Sequence, residues 1–212
     1  MLKILLTFAI IFSPELNLKY QVPNTECYVS SCSENLNSFQ TSSTHQGIII
    51  FEFHGPLLFI NVERFKKKFQ EIVLAKIKNQ IHKKQTILQN FKVSSSSGNQ
   101  SKLLSIINFT KKEQHNFKND KDIFNSLEQQ THTVIFDMSQ VSYLDSKAVE
   151  SLLEIESELK LLSLTAKPIQ LFLSNVSSPV FDTLFLCKFF EKFNNKNVFL
   201  TVHDAVLVAN NL

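Results

Sequence analysis

Glycine is scarce in this chain. Its 212 residues hold 3 Gly, 3 Cys and no Trp. So few glycines cannot assemble G-x-x-x-x-G-K or G-x-G-x-x-G, which excludes a glycine-rich phosphate cradle of either kind. The cysteines (Cys27, Cys32 and Cys187) are odd in number and form no C-x-x-C, so neither a disulfide framework nor a zinc site is expected. None of the 6 His falls in H-x-x-x-H or H-E-x-x-H spacing, which points away from a metal and toward a reducing compartment. Long hydrophobic runs are missing too. Leu2–Phe12 is mostly apolar but too short to cross a bilayer, which takes about 20 residues.

Hydrophobic residues make up 43% of the chain and 20 of them are Phe, enough for a core and against global disorder. The formal net charge of +3 hides an asymmetry. Between Arg64 and Lys121 lie 14 basic and 3 acidic residues, a surplus of 11, so the rest of the chain carries a net −8. A basic middle on an acidic remainder suggests a polyanionic partner, and a merely solvated lysine surface explains it equally well.

Residues 14–46 are polar and rich in Ser, Asn and Thr, and read as a linker with one short strand at Glu26–Val29. In GIIIFEFHGPLLFI two apolar runs flank His54-Gly55-Pro56, so Ile48–Phe53 and Leu57–Ile60 are strand candidates around a turn. Asn61 is placed to cap a helix whose apolar face is Val62, Phe65, Phe69, Ile72, Val73 and Ile77. Residues 79–130 lose this order and read as a disordered insertion. TVIFDM is a strand ending in Asp137, and VSYLDS leads into a helix faced with Ala148, Val149, Leu152, Ile155, Leu159 and Leu162. KPIQLFLS is the next strand. Ser178-Pro179 then starts a helix with Val180, Phe181, Leu184 and Phe185 on its apolar side. NVFL is a short strand, and Thr201 with Asp204 opens a last helix over His203–Asn210. The alternation predicts an α/β sheet with helices packed on it through right-handed crossovers.

These segments, in this order, resemble a STAS domain of the sulfate permease family of anion transporters. GIIIFEFHGPLLFINVERFKKKF is similar to that domain's second and third strands and first helix. HTVIFDMSQVSYLDSKAVESLLEIESEL is similar to its central strand, switch loop and second helix. FLCKFFEKF with LTVHDAVLVA is similar to its C-terminal end, and PNTECYVS to its linker and first strand. The resemblance divides the chain into an apolar segment and linker over 1–20 and a STAS domain over 21–212, with the insertion at about 79–130. It implies the α/β STAS fold, a central mixed sheet with about four helices packed mainly on one face, and a regulatory and interaction role on the cytoplasmic side of a membrane, attached to a transporter's membrane domain and without catalysis. It implies weak nucleotide binding, allows a homodimer, and places no nucleic acid among the partners. Lys66, Lys67, Lys68, Lys83 and Lys84 would form a basic surface for anionic lipid or an acidic protein.

The pair Asp145–Ser146 admits three readings. As a nucleophile, Ser146 would need a base and an oxyanion hole, and no G-x-S-x-G is present. As a phosphate acceptor, Ser146 resembles the Ser of D-S-x-G in small bacterial anti-anti-sigma factors, with Lys147 beside it and Ala148 in place of Gly. That reading makes the chain a free-standing phospho-switch. As a cap, Asp145 or Ser146 satisfies the helix N-terminus, worth about 1 kcal/mol. A haloacid dehalogenase-type phosphatase is a further alternative for VIFDMS, weakened because Ser139 stands where that motif has a second Asp. The apolar start is expected to be the remnant or replacement of a last membrane helix, retained on expression. N-terminal sequencing should return Leu2–Phe12, and a secreted chain beginning near Ser13 would contradict this.

Overall fold

The structure, a computed structural model, describes residues 15–30, 47–78, 131–162 and 168–212. The strands are β1 (Glu15–Gln21), β2 (Tyr28–Ser30), β3 (Ile48–His54), β4 (Thr133–Asp137), β5 (Gln170–Ser174) and β6 (Val198–Phe199). The helices are α1 (Val62–Phe69), α2 (Ser146–Leu161), α3 (Ser178–Leu186) and α4 (Val202–Ala209). One sheet runs in the order β2-β1-β3-β4-β5-β6. β3 to β6 are parallel, while β1 is antiparallel to both β2 and β3. The sheet is therefore mixed, as expected.

The central strands are nearly continuous apolar runs because both sheet faces are covered. Ile49, Phe51, Phe53, Val134, Phe136, Leu171 and Leu173 point into the larger core with α1, α2 and α3. Their alternating neighbours Ile48, Ile50, Ile135 and Phe172 meet α4 on the opposite face. Three helices thus lie on one side and one on the other.

The larger core is built on phenylalanine. Phe51 and Phe136, paired across β3 and β4, stack at 4.6 Å. Phe69 meets Phe51 edge-on at 5.3 Å, and Phe65 meets Phe53 edge-on at 5.1 Å. Edge-on and stacked geometries add to the burial of each ring. Beyond Phe69 the helix widens into a π-helical stretch, Gln70–Leu74, that turns both Val73 and Leu74 inward.

Several local expectations are corrected. Glu15–Gln21 is a strand inside the sheet, so the ordered unit reaches into the segment read as linker. The short strand beyond it is Tyr28–Ser30 rather than Glu26–Val29. Leu57–Ile60 is no strand: Leu57 makes one isolated bridge to Leu144. Asn61 sits at the α1 cap position without capping it. Its Oδ1 accepts from the Leu58 N–H (2.8 Å) and its Nδ2 donates to the Pro56 carbonyl (2.8 Å), bracing the turn before the helix. Gly55 opens that turn at φ 111, where an L side chain is strained. α3 begins one residue early, with Ser177 at the cap position and Pro179 second in the helix. Phe181 and Phe185 were expected on the buried side, but α3 buries only Val180 and Leu184 and leaves Phe185 68% exposed. The chain after α3 turns through Lys188 (φ 57) and delivers Phe189 and Phe193 to the core in their place. Residues 79–130, including Lys83 and Lys84, lie outside the described residues.

Phe69→Ala should cost about 3–5 kcal/mol in urea unfolding, as for other large buried rings. Phe185→Ala should stay within about 0.5 kcal/mol. Equal effects would contradict the assigned faces.

Candidate functional site

The parallel strands β3, β4 and β5 all end at one pole of the sheet, where α/β folds place ligands and contacts. Two turns meet there. Leu57 N–H donates to the Tyr143 carbonyl (2.9 Å), Asp145 N–H to the Leu57 carbonyl (3.3 Å), and Gly55 N–H to the Gln140 carbonyl (3.1 Å). The β3–α1 turn and the β4–α2 loop are thereby zipped together.

Asp145 is the hub of this contact. It is the N-cap of α2: Oδ1 accepts from the Ala148 N–H (2.9 Å), meeting one of the helix's free donors. Oδ2 accepts from the Phe59 N–H (2.6 Å) across the neighbouring turn. Ser146, the first residue of α2, is exposed, and so is Lys147, whose ammonium pairs with Glu150 at 3.0 Å. The three residues singled out from the sequence are thus adjacent but differ in role. Asp145 caps, Ser146 projects, and Lys147 is held by its own helix. Phe59 and Tyr143 rise beside them, 69% and 51% exposed.

Beneath the loop lies a charged cluster that sequence reading did not find. Asp137 is buried at the end of β4. Its Oδ2 takes Lys19 Nζ at 2.6 Å, while Oδ1 accepts from the Ser139 N–H (3.0 Å) and from Asn175 Nδ2 (2.9 Å). Glu52, the partner of Asp137 in the β3–β4 register, meets Lys19 Nζ at 3.1 Å and His54 Nε2 at 2.8 Å. Burial works against the charged form of Asp137. Hydrogen bonds from Lys19, Asn175 and the Ser139 N–H, with the Lys19 charge, outweigh it and hold the carboxyl below its ordinary value. Burial likewise opposes the Glu52 carboxylate, and His54 and Lys19 together hold it low. Lys19 loses solvation in the sheet, yet the two carboxylates raise its pKa. Both oxygens of the buried Asp137 are thus engaged by donors.

The one available signal for this cluster was Asn175, directly after a strand and in the left-handed region at φ 54, which Asn tolerates. Nothing local in ELNLKYQ marked Lys19. Among the described residues, no group of three or more His, Cys, Asp or Glu could hold a metal ion. On α1, Lys66 is paired with Glu154 of α2 at 2.6 Å and Lys67 lies 4.0 Å from Glu71, so part of the expected basic surface is neutralised from within.

A mixed sheet of this order, with helices starting at the parallel strands' C-terminal pole, defines a small α/β domain. The family model described as "STAS domain" matches residues 41–205, and the chain belongs to that family. It is 41% identical over 76 residues to Sulfate transporter 1.1 of Arabidopsis thaliana, covering 36% of this chain and 11% of that protein. It is 25% identical over 197 residues to Probable sulfate transporter 4.2 of the same plant, covering 93% of this chain and 21% of that protein. The chain therefore spans about a fifth or less of the curated relatives it matches. Its fold is that of part of the anion transporter SLC26A9. The overall structure of SLC26A9 superposes with a TM-score of 0.64 at 22% identity, over 99% of this chain and 26% of that one. The murine protein in its inward-facing state gives 0.61 at 22% identity, over 99% and 24%. Among the described residues, no helix is long and apolar enough to cross a membrane.

Replacing Lys19 with Met should cost about 3–5 kcal/mol near neutral pH, because two buried carboxylates lose their cation. In the wild type, Asp137 and Glu52 have lowered folded pKa values. Their contribution is complete above their ordinary values of 3.8 and 4.5 and is lost as pH falls through the folded ones. Lys19, raised from 10.5, contributes fully below that value and loses its contribution as pH rises through its folded one. The Lys19→Met deficit in urea unfolding should therefore narrow between pH 7.5 and pH 5, as the stranded carboxylates take up protons. A deficit equal at both would contradict the cluster.

Proposed function

We propose that this chain works as the cytoplasmic regulatory and interaction domain of a sulfate or other anion transporter, seated against a transport domain in the membrane. The observation that carries this reading is the match of its STAS domain, and nearly all of its length, to one portion of full-length sulfate transporters. The pole bearing Asp145, Phe59 and Tyr143 is the proposed contact, since it joins exposed aromatic rings to a rigid two-loop base. The Lys66, Lys67 and Lys68 face of α1 is a secondary contact for anionic headgroups, reduced by the internal ion pairs.

One observation favours a switch at the same place. Ser146 is exposed at the first position of α2, where a phosphate would compete with Asp145 for the helix N–H groups. Displacing Asp145 would also release the Phe59 N–H and loosen the zipped turns. This serves a transporter domain and a free-standing phospho-switch alike.

The deciding experiment fuses residues 15–212 to the membrane portion of a plant sulfate transporter that lacks its own STAS domain. Sulfate uptake should exceed that of the truncated transporter at equal surface amount. Uptake no higher than that of the truncation would refute the transporter reading, and the free-standing switch would then stand.

A further inference from the structure

Past the π-helical stretch Gln70–Leu74 the helix runs on through residues 75–78, and there it meets β1. Lys76 is half-buried, and its ammonium stands 5.5 Å over the ring of Tyr20. Tyr20 follows Leu16 and Leu18 at alternate positions of β1, on the face that meets the larger core. The amine is thus held at the edge of that core, over a ring. What the position lacks is an anion. Ile72 and Val73 stand one helical turn before it, and neither carries charge. Glu71 lies one residue further back and 4.0 Å from Lys67. Among the described residues, no carboxylate forms an ion pair with Lys76. Lys19 and Lys66, also half-buried, each have a carboxylate at 2.6 Å. An aromatic face attracts a cation only within about 6 Å, so the Tyr20 ring is a weak substitute. Burial therefore pushes the Lys76 ammonium below its ordinary value, whereas Glu154 raises Lys66 and Glu150 raises Lys147.

We propose that Lys76 is an acylation site, which takes the acetyl group of an activated donor, a thioester or an acyl phosphate. Only the neutral amine is a nucleophile, and an ammonium half out of water with no carboxylate to hold it gives up its proton more readily than its ion-paired neighbours. The nitrogen lone pair adds to the acetyl carbonyl carbon and forms the C–N bond. The C–S or C–O bond of the donor breaks, and its electron pair leaves with the thiolate or the phosphate. The surplus proton on nitrogen passes to water. The product is a neutral amide over the Tyr20 ring, so the reaction removes a charge that the position opposes. A lysine whose pKa is lowered on folding subtracts stability below its folded value, and acetylation ends that subtraction. The modification would thereby fasten this end of the helix to β1, the strand that also supplies Lys19. The inference goes beyond the transporter reading and does not rest on it.

Limited acetylation of the full wild-type chain tests it, with acetyl phosphate and acetyl coenzyme A in separate reactions and each lysine followed by peptide mass spectrometry. At pH 7.5 Lys76 should be modified about fivefold or more faster than Lys66 and Lys147, since one unit of pKa changes the neutral fraction tenfold. Lys66 is the matched control, because it is half-buried too, and Lys147 is the more exposed, so access alone would favour it. As pH rises, the rate at Lys76 should level off at a lower pH than the rate at either control. Preference with one donor alone would assign the acyl source to that class. The chain acetylated at Lys76 should unfold at a higher urea concentration than the unmodified chain. Modification of Lys76 no faster than of Lys66 would overturn the proposal. So would a lead that persists in concentrated urea, since the preference would then belong to the local sequence and not to the fold.

Discussion

Two carboxylates face each other across β3 and β4 with almost no solvent, and the sheet tolerates them because Lys19 reaches over from β1. Remove that ammonium and Glu52 and Asp137 would either repel or protonate. The arrangement ties three parts of the chain that are remote in sequence. β1 supplies the cation, the two central strands supply the anions, and Asn175 and the Ser139 N–H bind the remaining oxygen of Asp137. The loop that carries Asp145 begins at Met138, so its base is fixed by the same ions.

From this base the functional pole is assembled by short bonds rather than by bulk. Asp145 divides its two oxygens between its own helix and the Phe59 N–H. An Asn could keep one of those contacts through its Oδ1, but its Nδ2 is a donor and would face the other N–H, so the second would be lost. The exposed side chains of Ser146, Tyr143 and Phe59 ride on this scaffold, to which the Tyr143 carbonyl and the Phe59 N–H contribute hydrogen bonds. Buried ionic support and exposed side chains are thus divided between two layers of the same pole.

Much of the fold could be read from the chain because the parallel strands are long apolar runs and the helices repeat at three and four residues. Ile48–His54, Thr133–Asp137 and the α2 face came directly from that patterning. The α4 cap was equally plain: Thr201 Oγ1 accepts from the Asp204 N–H at 3.1 Å. What failed had tertiary causes. ELNLKYQ is the exception, since its polar–apolar alternation is the pattern of a half-buried strand and only the Lys19 contacts were hidden. Leu57 looked like strand because it is apolar, yet it is buried as a plug between two turns. Phe181 and Phe185 sit at helical spacing, but Phe189 and Phe193 reach the core first through a left-handed turn at Lys188. Of the site, the Asp145–Ser146–Lys147 stretch was legible as a helix start. Its link to Phe59 was not, because a backbone N–H leaves no mark in sequence.

The direction of β1 has a mechanical meaning. The strand enters at Glu15, level with His54 at the end of β3, and runs antiparallel to β3 while β2 flanks its other side. Ladder bonds in such pairs lie across the strands. Tension applied at Glu15 along the strand axis therefore loads both ladders in shear, together with the Lys19 ion pairs. The same pull applied at right angles would open the rungs one at a time. β1 is thus held strongly along its own axis and weakly across it.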